Sequence, residues 1–198
     1  ASEVAKLMPV RNHGEVLIDE AAVVTDPASL LLCVHRDITS LLSSDFNINV
    51  LFELVLESIH RGLQMDRTLF AMVSPDCKYL KEKSSHGWAA VGSRYPMHIA
   101  LNTQPTHIFT HALSQSDALW VRPDAEPSVQ ALFTQSIQAT MGMHECFFIP
   151  LRLHRKPIGL IYADRAISGT ALNQEAFDHF RQLGQQAIIG LRLSSIKE

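Results

Sequence analysis

Between His144 and Arg165 the chain runs apolar on alternate positions, turns, and runs apolar again. Phe147, Ile149, Leu151 and Leu153 alternate along the first arm. The second arm sets Ile158, Leu160 and Tyr162 on one face and Gly159, Ile161 and Ala163 on the other. The polar tetrapeptide His154-Arg155-Lys156-Pro157 separates them, so the pattern predicts a β-hairpin. Neither arm has a strongly polar face, which places the hairpin mid-sheet with both faces covered.

Helical spacing appears three times. Leu30, Leu31, Val34, Ile38 and Leu41 predict a first helix over 28–42. Leu51, Phe52, Val55 and Ile59 predict a second over 48–63, with Asn47 as N-cap. Phe177, Phe180, Leu183, Gly184, Ala187 and Leu191 predict a third over 173–194, capped by Asn173 or Thr170. Shorter patterns predict a strand pair at 68–73 and 78–84, a strand at 97–101 and another at 118–121. Two short helices are predicted, one started by Pro105 over 106–113 and one over 128–138. Residues 1–26 keep no period and are taken as a tail or linker, leaving a single domain over 27–198.

Bulk properties narrow the function classes. A chain of 198 residues that is 46% hydrophobic can bury one full core. The net charge of −3 provides no field toward nucleic acid or anionic lipid. No apolar run approaches the roughly 18 residues that a membrane span requires. The opening residues lack the order of a signal peptide. Cys33, Cys77 and Cys146 are scattered and odd in number, which points away from a disulfide framework and toward the cytoplasm.

The order helix, helix, strand pair, irregular middle, strand pair, long helix resembles a GAF domain. The residues that carry the likeness are Ile149-Pro150-Leu151, then Pro157 to Asp164, then the Phe177, Phe180 and Leu183 stripe. It covers about Asn47 to Leu193. Ile59 to Leu63 and Asp66 to Phe70 are also similar to the C-terminal GAF-like part of bacterial HDOD-domain signalling proteins, which implies a signalling domain upstream. The resemblance implies an α+β fold with an antiparallel sheet of about six strands, helices 28–42, 48–63 and 173–194 on one face, and a roof of loops and short helices on the other. It further implies a non-enzymatic sensory or regulatory role, with a small molecule held beneath the roof. The candidate ligand-binding residues are Trp88, Tyr95, His98, Trp120, Phe133 and Tyr162. The same aromatics can instead fill the interior and leave a dimerisation scaffold.

The resemblance implies several possible chemistries, and each requires particular residues. A free methionine sulfoxide reductase needs paired thiols, for which only Cys77 and Cys146 qualify, and its clustered cysteines are missing. No Cys-His dipeptide suits a bilin, and no Asn-Lys-Phe-Asp-Glu run suits a cyclic nucleotide. No cofactor is identified. His107 and His111, four apart, have a spacing compatible with a metal, with His98, or His144 and Cys146, as further donors, and are read as ordinary surface histidines. The basic turn at Arg152, His154, Arg155 and Lys156 has no interleaved aromatics and reads as a solvated loop, not a nucleic-acid surface.

The spare first helix predicts a homodimer. Its stripe of Leu30, Leu31, Val34 and Ile38 must bury somewhere, and Gly184, Ala187 and Leu191 of the last helix offer a small-residue seam. Folding back on its own domain is the alternative.

Overall fold

The computed structural model describes residues 47–88 and 97–196. Helix α1 spans Ile48–Glu57 and continues through a π-helical turn, Ser58–Gly62. The Asn47 side chain accepts from the Asn49 amide at 2.9 Å and starts it. Strand β1 (Arg67–Val73) and β2 (Tyr79–His86) form the first hairpin. They are followed by β3 (His98–Ala100), α2 (Ile108–Ser114) and β4 (Leu119–Val121). Short helices α3 (Pro127–Gln130) and α4 (Gln135–Met141) precede β5 (Cys146–Leu153) and β6 (Lys156–Asp164). Helix α5, Gln174–Ile196, closes the series. Among the described residues, no helix is long and apolar enough to cross a membrane.

The six strands form one antiparallel sheet in the order β3-β2-β1-β6-β5-β4. The α+β architecture that the resemblance implies is present, with β1, β6 and β5 at its centre. Period-two alternation splits their side chains between two cores. Phe70, Phe147, Ile149, Leu151, Ile161 and Ala163 meet α1 and α5. Leu69, Ala71, Cys146, Phe148, Leu160 and Tyr162 meet α2, α4 and the loops of the roof. Burial of both faces explains why these strands read as continuous apolar runs.

The hairpin turn is tighter than predicted. Only His154 and Arg155 lie outside the strands, and both have positive φ, 47° and 67°, as a two-residue primed turn requires. Lys156 and Pro157 belong to β6, next to a register shift at Leu151/Arg152. The basic patch is partly consumed here. Arg152 donates to the carbonyls of Leu113, Gln115 and Arg155.

Two predicted helix boundaries move. The helix expected over 128–138 breaks into α3 and α4 around Ala131–Thr134. Pro105 does not start α2. His107 caps it instead, its Nδ1 accepting from the Thr110 amide at 3.4 Å. The predicted first helix, with Leu30, Leu31, Val34 and Ile38, lies outside the described residues.

Gly184 and Ala187 do not form an outward seam. A Cβ on Gly184 would fall 2.4 Å from Cδ1 of Ile149 on β5, and Ala187 is fully buried. The close approach that a glycine permits is used against the chain's own sheet. Leu191 is half-buried against the helix-side core and lines a cavity of about 330 Å³ with Ile48 and Phe52.

Candidate functional site

The roof side holds a buried polar cluster where β1 begins and β6 ends. Arg67 is paired with Asp164 in register across the two strands. Its Nε donates to both carboxylate oxygens at 3.0 and 3.1 Å, and its Nη2 donates to Oδ2 at 2.5 Å. Arg67 is 3% exposed and Asp164 is 0% exposed. Two groups of opposite charge survive such burial only when paired and hydrogen-bonded. Burial by itself would lower the Arg67 pKa, but the hydrogen bonds to Asp164 and the nearby negative charge outweigh it and leave the guanidinium above its usual range. The arginine therefore stays charged.

Arg67 also binds the roof to the sheet. Its Nη2 donates to the Met141 carbonyl at the end of α4, at 2.8 Å. Its guanidinium lies 4.5 Å from the centroid of Trp88, whose indole N–H donates to the Thr68 carbonyl at 2.8 Å. The Tyr162 hydroxyl donates to Asp164, and burial pushes that phenol's pKa well up. Phe109, Phe148 and Tyr162 fill the middle of the layer, with centroids 5.1 to 6.2 Å apart.

The predicted ligand-binding residues divide by strand parity. Trp88, Phe133 and Tyr162 belong to the roof-side core. Trp120 does not, and this is a correction. Leu119 and Val121 face the roof, so Trp120 between them faces the helices and packs on Phe147 and Phe177, each at 5.5 Å. His98 is also displaced from the predicted wall. It is exposed on edge strand β3, stacked on Tyr79 at 4.3 Å, while its neighbour Ile99 points inward. Tyr95 lies outside the described residues.

His107 is buried rather than a surface residue, and both its ring nitrogens serve structure. Nε2 donates to the Ala100 carbonyl at 2.7 Å while Nδ1 caps α2, which defines the neutral Nε2–H tautomer. His111 contacts the Gln115 side chain. Among the described residues no group of three His, Cys, Asp or Glu side chains is placed to hold a metal ion.

The two thiols among the described residues are far apart, and Cys33 lies outside those residues. Cys146 is fully buried opposite Asp164, and burial, reinforced by the Asp164 carboxylate, pushes its pKa well up. Cys77 is exposed in the β1–β2 turn, at the other end of the sheet, roughly 20 Å away by strand rise. Native Cys146 is expected to resist a maleimide that labels Cys77 readily, and to react once the protein is unfolded in guanidinium. Native labelling of Cys146 at the Cys77 rate would contradict this burial.

Sequence reasoning passed over Arg67 and Asp164 as site residues. They are 97 positions apart, and only strand pairing joins them. The available signal was a charge at the end of each of two otherwise apolar strands.

Comparison with solved structures found the same fold in proteins of low identity. A methyl-accepting chemotaxis protein, residues 122 to 287, is 16% identical with a TM-score of 0.62, covering 80% of this chain and 96% of that one. Free methionine-R-sulfoxide reductase from Neisseria meningitidis is 15% identical with a TM-score of 0.62, covering 88% and 95%. A GAF domain/HD domain protein from Geobacter sulfurreducens is 12% identical with a TM-score of 0.57, covering 80% and 98%. No curated protein matches the sequence. The profile of the GAF domain family matches residues 47–191, from the N-cap of α1 to the last turns of α5, and the chain belongs to that family.

Proposed function

We propose that this GAF domain is a non-enzymatic sensor. GAF domains are in general regulatory and sensory modules. Here a small molecule would enter beside Trp88, Phe133 and Tyr162, and the response would reach the helices through the central strands. The observation that carries this reading is Arg67. One side chain holds β6, the end of α4 and Trp88, so a shift of the roof is felt directly at the centre of the sheet. Leu69 and Phe70, or Tyr162 and Ile161, then connect the two cores as neighbours on one strand.

The separation of Cys77 and Cys146, the pair considered for sulfoxide reduction, supports a regulatory role, since a nucleophile and its resolver must meet. We further infer a cytoplasmic homodimer, in which the stripe of Leu30, Leu31, Val34 and Ile38 pairs with its copy and continues toward an upstream signalling domain of the HDOD type. Val50 and Ile189, 49% and 43% exposed on α1 and α5, are apolar surface that such an assembly would cover.

A metabolite screen by thermal shift tests the sensor. A ligand at a hundred times its Kd adds about 2.7 kcal/mol of stability. That shift is expected to vanish in Trp88→Ala. A broad screen without a stabilising compound would favour the second reading, a dimerisation scaffold, which the ring packing of Phe109, Phe148 and Tyr162 supports.

A further inference from the structure

A second concavity lies away from the roof residues Trp88 and Tyr162, where β4 ends, β5 begins and β6 passes toward α5. Two cavities of about 310 and 290 Å³ adjoin there and share Pro123, His144 and Glu145 as their common wall. Their charge is unbalanced. Arg122 lines one and Arg165 the other, while Glu145 is the single carboxylate among the lining residues. Both oxygens of Glu145 are already engaged. Oε1 accepts from the Trp120 indole at 2.9 Å and Oε2 from the Leu172 amide at 3.0 Å.

The cations, by contrast, have donors to spare. The Arg122 guanidinium lies 4.0 Å from the centroid of the Trp120 ring and makes no hydrogen bond with the described residues. Stacking leaves the N–H edge of a guanidinium open for a bidentate acceptor. Arg165 is fixed by its Nη1 on the Ala171 carbonyl and its Nη2 on the Leu63 carbonyl. Its Nε is buried and has no acceptor among the described residues. A buried donor without a partner is costly, and an acceptor arriving from solution would relieve that cost. His144 completes the polar wall. Its ring is folded over Gly142, where a Cβ would fall 2.2 Å from Nε2. Val121, Phe133 and Leu172 supply an apolar floor.

We propose that this groove binds a small carboxylic acid with an apolar body. The carboxylate lies between Arg122 and Arg165 beside His144, and the body rests on the floor. The groove borrows Phe133 and Val121 from the edge of the roof-side core but shares none of its charged residues with the contacts of Trp88 and Tyr162, so the two readings are tested apart.

Benzoate is the probe, with benzamide as its uncharged counterpart, added to the full chain and followed by amide and side-chain N–H resonances. The Trp120 indole N–H, identified by its absence in Trp120→Phe, and the Arg165 Nε–H are expected to shift saturably with benzoate. Benzamide should leave them in place, and added sodium chloride should weaken the binding. Arg122→Gln, on an exposed side chain, is expected to weaken benzoate at least tenfold with the rest of the spectrum unchanged. Arg165→Lys, which keeps the charge and removes the Nε donor, should weaken it too, and Arg122→Gln decides the matter if that variant does not fold. Absence of a saturable shift, equal shifts with benzamide, undiminished affinity in Arg122→Gln, or shifts confined to Trp88 and Tyr162 would each overturn the proposal.

Discussion

Asp164→Ala is expected to cost about 3–5 kcal/mol of folding stability, the range for removing one partner of a buried ion pair. The substitution leaves Arg67 charged and 3% exposed, with the Met141 carbonyl and the Trp88 face as its remaining contacts. It also strips acceptors from the Tyr162 hydroxyl and the Ala166 amide. The paired replacement Arg67→Met with Asp164→Leu should recover much of the loss, because it removes both charges rather than stranding one. Urea unfolding of the wild type, the single variant and the pair measures this directly. A loss below about 1 kcal/mol in Asp164→Ala, the scale of an exposed pair, would show that water reaches the cluster.

Gly87→Ala ranks second, at about 2–5 kcal/mol, combining the strain of an L residue in the left-handed region with overpacking. Gly87 has a φ of +79°, and a Cβ there would fall 1.7 Å from the Asp66 carbonyl oxygen. That carbonyl cannot retreat. The Asp66 amide donates to the Asp164 carbonyl at 2.8 Å, and its carboxylate accepts from the amides of Ile167 and Ser168. Because Gly87 directly precedes Trp88, the change should also disturb the indole on Arg67, visible as altered near-ultraviolet circular dichroism. Gly169→Ala is the control. Its φ of +65° is similar, but nothing lies within 4 Å of the built Cβ, so only the strain remains. A melting temperature for Gly87→Ala equal to that of Gly169→Ala would sink the steric argument.

Local pattern was enough wherever the determining contacts are close in sequence. Alternation at Phe147 to Leu153 and at Ile158 to Ala163 specified the central hairpin, because period two and two covered faces leave few other arrangements. Asn47 and Asn173 were legible as caps because capping is a matter of three residues, and the Asn173 carboxamide does accept from the Ala176 amide at 2.8 Å. The family, too, was legible from the hairpin and the stripe that follows it.

What a residue faces was decided by the tertiary structure. Trp120 looked like a roof aromatic because its strand is only three residues long, too short for parity to show which side is inside. Gly184 reads in the sequence as part of a dimer seam, but a helix stripe does not say whether the approaching surface is a partner or, as here, the chain's own Ile149 side chain. The Arg67–Asp164 pair, held across 97 positions, has no local signature, since each member alone resembles a strand-end charge. The groove at Arg122, His144 and Arg165 is built from three separate connections between elements. Periodicity can place an element, but the facing of short strands and the meeting of loops follow from the sheet order that packs them together.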